Sequence, residues 1–203
     1  MKTIAVDLDN TIAIYDSAIL AVCNQLKLNI PEIYRTKPTI SKYLKSSGNN
    51  DIWTDIQGLI YGPYMTKAVI SKGFERFAAF ASKMGYKLVI VSHKTKLPAS
   101  GAAYNLRKSA QEWIDTNLPN VFAQIYFEDS IESKVARVRN INPVLFIDDL
   151  KDILQKCNLG IYRSILINEA ENTTSSNFFQ SFSTWDEILK EVSKRKEFSG
   201  RSL

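Results

Sequence analysis

The amino-acid sequence predicts an α/β fold in which a parallel β-sheet lies between layers of helices. Strand-like and helix-like segments alternate along most of the chain, and this alternation is typical of parallel sheets with right-handed crossovers. Three apolar runs of the kind found in buried strands each end in polar residues. The chain has 203 residues, of which 45% are hydrophobic, so it can bury one core and carry a modest insertion.

The first half of the chain contains one predicted strand followed by several predicted helices. The apolar, mostly β-branched run at 4–6 predicts the first strand. Apolar residues then recur at three- and four-residue steps, which predicts helices over 14–27, 39–46, 50–61 and 74–84. A largely helical insertion therefore separates the first strand from the second.

The second half alternates more regularly between the two kinds of element. Apolar runs predict strands at 87–91, 123–127, 143–147 and 162–167. Helical spacing predicts helices over 102–117, 130–140 and 184–194. Residues 168–183 are rich in Asn, Ser and Thr, which predicts a loop.

Two carboxylates, Asp7 and Asp9, directly follow the first strand. Residues at i and i+2 of a strand point to the same side, so these carboxylates can converge on one hard cation or one phosphoryl group. A core strand that ends in paired acids is costly unless something binds those acids. The alternative is a surface turn, for which the Asp-Asn-Thr sequence at 9–11 is also suitable.

Two other strands also end in polar residues suited to phosphate or metal. The strand at 87–91 leads into Ser92-His93-Lys94, and the strand at 143–147 leads into Asp148-Asp149, with Lys134 shortly before it. In open parallel sheets, ligands bind outside the carboxyl ends of the strands. The pattern therefore predicts a polar site at that edge of the sheet.

This ordered set, a DxDxT at 7–11, a strand-end Ser92, Lys134 and the strand-end pair Asp148-Asp149, resembles the haloacid dehalogenase superfamily. Because its second acidic position is an Asp, Asp9, the motif resembles that of the phosphatase branch of the superfamily. The resemblance implies a Rossmann-like, three-layer parallel sheet with a small helical cap inserted after the first strand. It places the catalytic core at 1–13 and 70–203 and the cap at 14–69.

The resemblance also implies a role for each motif in phosphate-ester hydrolysis. Asp7 is the expected nucleophile, which forms an aspartyl-phosphate, and Asp9 is the expected general acid and then general base. Ser92 and Thr11 are expected to bind phosphate oxygens. Lys134 is expected to offset the charge of the carboxylate and of the phosphoryl group.

The expected cofactor is Mg²⁺, because the motifs offer hard oxygen ligands and no cluster of thiol or imidazole groups. By resemblance, Asp7 supplies a side-chain oxygen and Asp9 its backbone carbonyl. One member of the Asp148-Asp149 pair supplies a carboxylate, and Asp149 is favoured because it falls where the family's common Gly-Asp pair has its acid. Asp148 is then expected to act through a metal-bound water.

Two residues after the second motif strand have open roles. His93, the one histidine, either contacts substrate or fills the loop. Lys94, with Lys96 nearby, either binds an acidic group of the substrate or belongs to a solvated loop. In the insertion, Trp53 and Tyr61 either line a substrate pocket or form the core of the cap.

The bulk properties restrict the partners and the compartment. The net charge of +5 is mild and the basic residues are scattered, which suits an anionic substrate and does not predict a nucleic-acid partner. Cys23 and Cys157 lie among apolar neighbours, so we expect reduced core thiols and a cytoplasmic protein. We expect no signal peptide and no membrane span. The sequence does not predict the oligomeric state.

Together these features predict a Mg²⁺-dependent phosphomonoesterase that acts on a small phosphorylated metabolite. A nucleotidase is the second enzyme hypothesis. A binding module that kept the fold without turnover is the non-enzymatic alternative, although such a module usually lacks the nucleophile, the acid or the metal ligands.

Overall fold

The structure, a computed structural model, describes residues 2–31, 33–34, 36–167 and 176–195. Its strands are β1 (Thr3–Val6), β2 (Ala13–Ile14), β3 (Val69–Ile70), β4 (Lys87–His93), β5 (Gln124–Glu128), β6 (Leu145–Asp148), β7 (Ser164–Ile167) and β8 (Gln180–Phe182). Its α-helices are α1 (Asp16–Gln25), α2 (Lys37–Ser46), α3 (Asn50–Tyr61), α4 (Phe74–Lys83), α5 (Leu106–Asn117), α6 (Ile131–Ile141), α7 (Lys151–Cys157) and α8 (Trp185–Val192).

A six-stranded sheet in the order β5-β4-β1-β6-β7-β8 organises the fold. Every neighbouring pair in it is parallel. β1 lies at the centre, where Ile4 is paired with Leu88 of β4 and with Leu145 of β6. The predicted parallel sheet is confirmed, and its first strand has both neighbours that carry the polar strand ends.

Helices cover both faces of this sheet. On one face, α6 and α7 bring Val135, Val138 and Leu154 against Ala5 and Phe146. Side chains alternate along a strand, so the residues between these face the other way, where α4 packs against β4 and α8. The expected three-layer α/β architecture is confirmed.

The chain divides into two compact units. Unit 1 comprises 1–12, 71–93 and 120–203, and unit 2 comprises 13–70 and 94–119. Unit 2 thus contains the predicted cap segment and, beyond it, the stretch around α5 that the sequence analysis placed in the core. Within unit 2, α5 packs against α3, and the indole N–H of Trp113 donates to the carbonyl of Ala68 at 3.0 Å.

The interior of unit 2 answers one question left open by the sequence. Trp53 on α3 is 5% exposed, so it belongs to the packed interior of this unit. Tyr61, at the end of the same helix, lies edge-on to Tyr15, with ring centroids 5.1 Å apart. The two short strands β2 and β3 pair antiparallel where the insertion begins and ends.

Two sequence predictions are wrong in detail. The predicted loop at 168–183 includes strand β8, which is held by its parallel pairing with β7. The sequence did not reveal this strand because Gln180 and Ser181 are polar and show no apolar pattern. Residues 168–175 lie outside the described residues. The helix predicted from 102 begins at Leu106, because Asn105 caps it by accepting a hydrogen bond from the Lys108 amide at 3.1 Å.

Both cysteines are buried free thiols, and burial raises the pKa of the Cys157 thiol to about 11. Among the described residues, the helices fall short of the length and apolar character that a bilayer crossing requires.

Truncation of β1 tests its central place in the fold. Ile4 is completely buried, so we expect Ile4→Ala to lower the free energy of unfolding by about 2–5 kcal/mol through lost burial and a residual cavity. The measurement is urea unfolding followed by circular dichroism.

Ile33→Ala is the matched control, because Ile33 is 77% exposed and its truncation is expected to leave the unfolding midpoint unchanged. Equal effects of the two substitutions would contradict the placement of β1 at the centre.

Candidate active site

Asp7 lies at the carboxyl end of β1, in the middle of the sheet. The residue is 4% exposed. Its backbone amide donates to the carbonyl of Ile147 at 2.9 Å, which ties the end of β1 to the end of β6. Asp7 is therefore held beside the Asp148-Asp149 pair by the backbone hydrogen bonding of the sheet.

Lys134 connects two of these acids. Its ammonium nitrogen lies 2.7 Å from Asp7 Oδ1 and 2.7 Å from Asp148 Oδ2. Burial alone would lower the pKa of the Lys134 ammonium group, but the charges of Asp148 and Asp7 outweigh burial and raise that pKa above its ordinary value. The lysine is thus a permanent cation between two buried carboxylates.

The local sequence of α6 explains why this lysine is buried. Ile131, Val135 and Val138 face the hydrophobic core, and Lys134 lies three residues after the first and four before the last, on the same side of the helix. The helix begins at a capping box between Ser130 and Ser133. The packing of the apolar stripe therefore carries the lysine into the site.

Asp148 is fully buried, and both of its carboxylate oxygens have partners. Oδ1 accepts from the Leu150 amide at 2.9 Å, and Oδ2 pairs with Lys134. Burial raises the pKa of the Asp148 carboxyl to about 6, against the opposing charge of Lys134. The group is held in one orientation by the two contacts.

Asp149 has a partner that sequence reasoning missed. The side-chain amide of Asn10 donates to Asp149 Oδ2 at 3.2 Å. Asn10 adopts a left-handed backbone conformation with φ of 60°, which asparagine tolerates better than most residues. The signal in the sequence was the Asp-Asn-Thr turn, because it places an asparagine where the chain reverses beside the site.

Three carboxylates form an oxygen cluster that fits a metal ion. Among the described residues, Asp7, Asp148 and Asp149 each offer an oxygen, and these oxygens lie within 4.8 Å of one another. Three acids against the single charge of Lys134 leave an excess of negative charge. Hard oxygen donors with such an excess fit a hard divalent cation.

Two buried hydroxyl groups belong to the same motifs. Thr11 Oγ1 and Ser92 Oγ have no hydrogen-bond partner among the described residues. A buried hydroxyl without a partner is costly. Both groups are therefore suited to donate to a bound anion.

The remaining predicted residues lie in different surroundings. His93 is exposed, with its Nε2 atom 3.3 Å from the carbonyl of Asp129. Lys94 is not part of a solvated loop, because it is 3% exposed, and within unit 2 its ammonium nitrogen lies 4.5 Å from the ring centroid of Tyr61. Asp9 is partly exposed, and its carboxylate is not among the clustered oxygens of the described residues.

Comparisons with known proteins agree with this fold. No protein-family model matches the sequence, and no curated protein is significantly similar to it. A haloacid dehalogenase superfamily hydrolase of known structure from Ehrlichia chaffeensis is 18% identical, with a TM-score of 0.52, and the match covers 96% of this chain and 98% of that one.

Two further solved structures are similar over nearly their whole length. A predicted phosphatase from Clostridium acetobutylicum is 14% identical, with a TM-score of 0.58 and coverage of 96% of this chain and 99% of that one. A dehalogenase is 10% identical, with a TM-score of 0.60 and coverage of 96% and 98%. The chain therefore has the fold of the haloacid dehalogenase superfamily, as expected from the motifs, while the fold alone does not select a reaction.

Removal of the buried cation is expected to destabilise the protein strongly. Lys134→Met leaves Asp7 and Asp148 buried without their cation, so the free energy of unfolding should fall by about 3–5 kcal/mol. The measurement is urea unfolding in the presence of a chelator.

Lys108→Met is the control, because Lys108 pairs with Glu112 at 3.7 Å on the surface and its loss should leave stability unchanged. If Lys134→Met were as stable as wild type, the ion triad would not be formed in solution.

Proposed function

We propose that this protein is a phosphate-ester hydrolase that acts on a small phosphorylated metabolite through an aspartyl-phosphate on Asp7. The observation that carries the proposal is the contact of the Lys134 ammonium group with Asp7 Oδ1 at 2.7 Å; two buried hydroxyl groups without partners among the described residues, those of Thr11 and Ser92, support it. A carboxylate nucleophile, a fixed cation and hydroxyl donors are what transfer of a phosphoryl group requires.

In the proposed first step, a carboxylate oxygen of Asp7 attacks phosphorus and the bond from phosphorus to the leaving oxygen breaks. Asp9 donates a proton to that oxygen as it leaves. In the second step, Asp9 takes a proton from water, the water oxygen attacks phosphorus, and inorganic phosphate departs from the regenerated Asp7 carboxylate. Lys134 stays protonated throughout and offsets the charge on the phosphoryl oxygens.

Ser92 and Thr11 are assigned to phosphate binding in this scheme. Their buried hydroxyl groups lack partners among the described residues, and phosphoryl oxygens would accept their hydrogen bonds. Asp9 and His93 are more exposed, which suits residues that meet the leaving group and the substrate.

Mg²⁺ is the proposed cofactor, held by Asp7, Asp149 and the backbone carbonyl of Asp9. Both oxygens of Asp148 already have partners, since Oδ1 accepts a hydrogen bond from the Leu150 amide and Oδ2 forms an ion pair with Lys134. This supports Asp149 as the direct ligand. When bound, Mg²⁺ would offset the charge of the phosphate and reduce its repulsion with the nucleophile.

Lys94 is assigned to an anionic part of the substrate. In unit 2 its ammonium group lies over the ring of Tyr61, and Lys37 donates to the hydroxyl of that same tyrosine at 2.6 Å. Two cations held around one aromatic ring support an anionic ligand.

The first test is a substrate screen of the purified protein with Mg²⁺. We expect release of inorganic phosphate from at least one member of a panel of phosphosugars, small organic phosphates and nucleoside monophosphates. Asp7→Asn should lower kcat by at least about a thousandfold, because the nucleophile is lost, while the circular dichroism spectrum stays that of wild type.

A preference for nucleoside monophosphates would select the nucleotidase hypothesis. Halide release from 2-haloacids, without phosphate release, would overturn the proposal in favour of a dehalogenase. Tight Mg²⁺ binding without turnover of any compound would favour the binding module.

The second test separates the two neighbouring acids. Asp149→Asn should weaken Mg²⁺ binding by more than about 100-fold. Replacement of a residue that only hydrogen-bonds to a metal ligand already lowers metal affinity by about 10–100-fold, and loss of a direct ligand should lower it further. Asp148→Asn should weaken it less and should also lower the unfolding midpoint, because Lys134 loses one of its two partners. Isothermal titration calorimetry with MgCl₂ measures the affinities, and the reverse order would assign the metal to Asp148.

A further inference from the structure

Trp185, the first residue of α8, makes a contact with the segment that follows the nucleophile. Its indole N–H lies 3.2 Å from the carbonyl oxygen of Thr11 and 3.1 Å from the hydroxyl oxygen of Ser71, so it donates between these two acceptors. The tryptophan is completely buried. A buried carbonyl in the DxDxT segment therefore receives its donor from the far end of the chain.

The two acceptors stand at the points where the chain leaves unit 1 and returns to it. Unit 1 is left after Ile12 and re-entered at Ser71. The amide of Ser71 donates to the carbonyl of Ile12 at 2.7 Å, so the outgoing and returning segments are bonded to each other as well as to Trp185. One indole N–H thus holds both segments.

The indole itself is held from several sides. Its ring lies 5.0 Å from the ring centroids of both Phe74 and Phe77. The next residue, Asp186, accepts hydrogen bonds from Arg76 Nε at 3.0 Å and from Arg76 Nη2 at 2.7 Å, one on each carboxylate oxygen. At Gly73, a Cβ atom would lie 3.1 Å from Trp185 Cβ. Close packing therefore fixes the donor in position.

The DxDxT segment forms a tight turn that is closed by a backbone hydrogen bond. The amide of Ile12 donates to the carbonyl of Leu8 at 2.9 Å, and Asn10 within the turn is left-handed. Asp9 lies inside this turn, so a shift of the Thr11 carbonyl would displace the backbone and side chain of Asp9.

We propose that Trp185 is a positioning residue for the active site: its indole N–H fixes the Thr11 carbonyl and thereby the position of Asp9. The kinetic part of this inference rests on the proposed phosphatase function. The structural part does not, because it concerns the rigidity of 8–12 and of 70–73 in the protein without substrate.

The test uses Trp185→Phe, which keeps an aromatic ring in the packed interior and removes the N–H donor. We expect faster hydrogen–deuterium exchange in peptides covering 8–12 and 70–73, and Mg²⁺ affinity lowered several-fold. For the substrate found in the screen, kcat should fall by about 10–100-fold with KM nearly unchanged, because the acid and base is misplaced while substrate contacts remain.

Trp113→Phe is the matched control. Trp113 is also buried, at 3% exposure, and donates its indole N–H to the Ala68 carbonyl. This variant should lose a comparable amount of stability and leave both the exchange of 8–12 and kcat unchanged. Ser71→Ala removes only the second acceptor, so kcat should stay close to wild type.

If Trp185→Phe failed to fold, replacement of Trp185 by benzothienylalanine would serve, since sulfur replaces the N–H in a ring of nearly the same shape. Wild-type exchange at 8–12 in a folded Trp185 variant would overturn the proposal. So would a fall in kcat accompanied by uniformly faster exchange across the protein. If wild type released no phosphate, only the proposed function would fail. Hydrogen–deuterium exchange at 8–12 and the Mg²⁺ affinity would still decide the role of Trp185.

Discussion

The buried ammonium group of Lys134, 2.7 Å from both Asp7 and Asp148, is the interaction on which the site depends. Two carboxylates at the ends of neighbouring central strands would repel each other and could not be desolvated without a cation between them. The cation is delivered by a helix whose other buried residues are apolar, so the hydrophobic packing of α6 supplies the energy that holds a charge inside. The same face of α6 therefore packs into the hydrophobic core and places the cation of the site.

The sheet determines which acids are brought together. β1 is flanked by β4 and β6. Asp7 directly follows β1, Ser92 is the last residue but one of β4, and Asp148 is the last residue of β6. Because the strands are parallel, all three ends lie at one edge, with backbone groups that are already bonded along the ladder. Asp7, Ser92 and Asp148 thus come to the same edge of the sheet although they lie far apart in the chain. The excess negative charge that remains with Asp149 gives the site its expected affinity for a divalent cation.

Two residues without a predicted role in the site support this arrangement. Asn10 bonds Asp149, and Trp185 bonds the carbonyl of Thr11. Asn10 thus contacts a carboxylate of the site, and Trp185 contacts the turn after β1. Precise placement of reacting groups accounts for a large part of enzymatic rate enhancement, so residues that hold such groups in place matter as well as those that react.

The sequence by itself determined five of the six strands of the main sheet, most of the helices and the candidate residues, because apolar periodicity and polar strand ends are local patterns. For the same reason it indicated that the ligands of the candidate metal site are oxygen atoms. Tertiary structure alone decided that Lys134 pairs with Asp148 as well as with Asp7, that β8 is a strand, and that α5 packs with unit 2. Each of these depends on which elements become neighbours: β8 has no apolar pattern of its own, and the contact between Trp185 and Thr11 spans nearly the whole chain. Local sequence patterns do not specify such pairings, because the energy that selects them comes from contacts that form only when the elements pack together in the core.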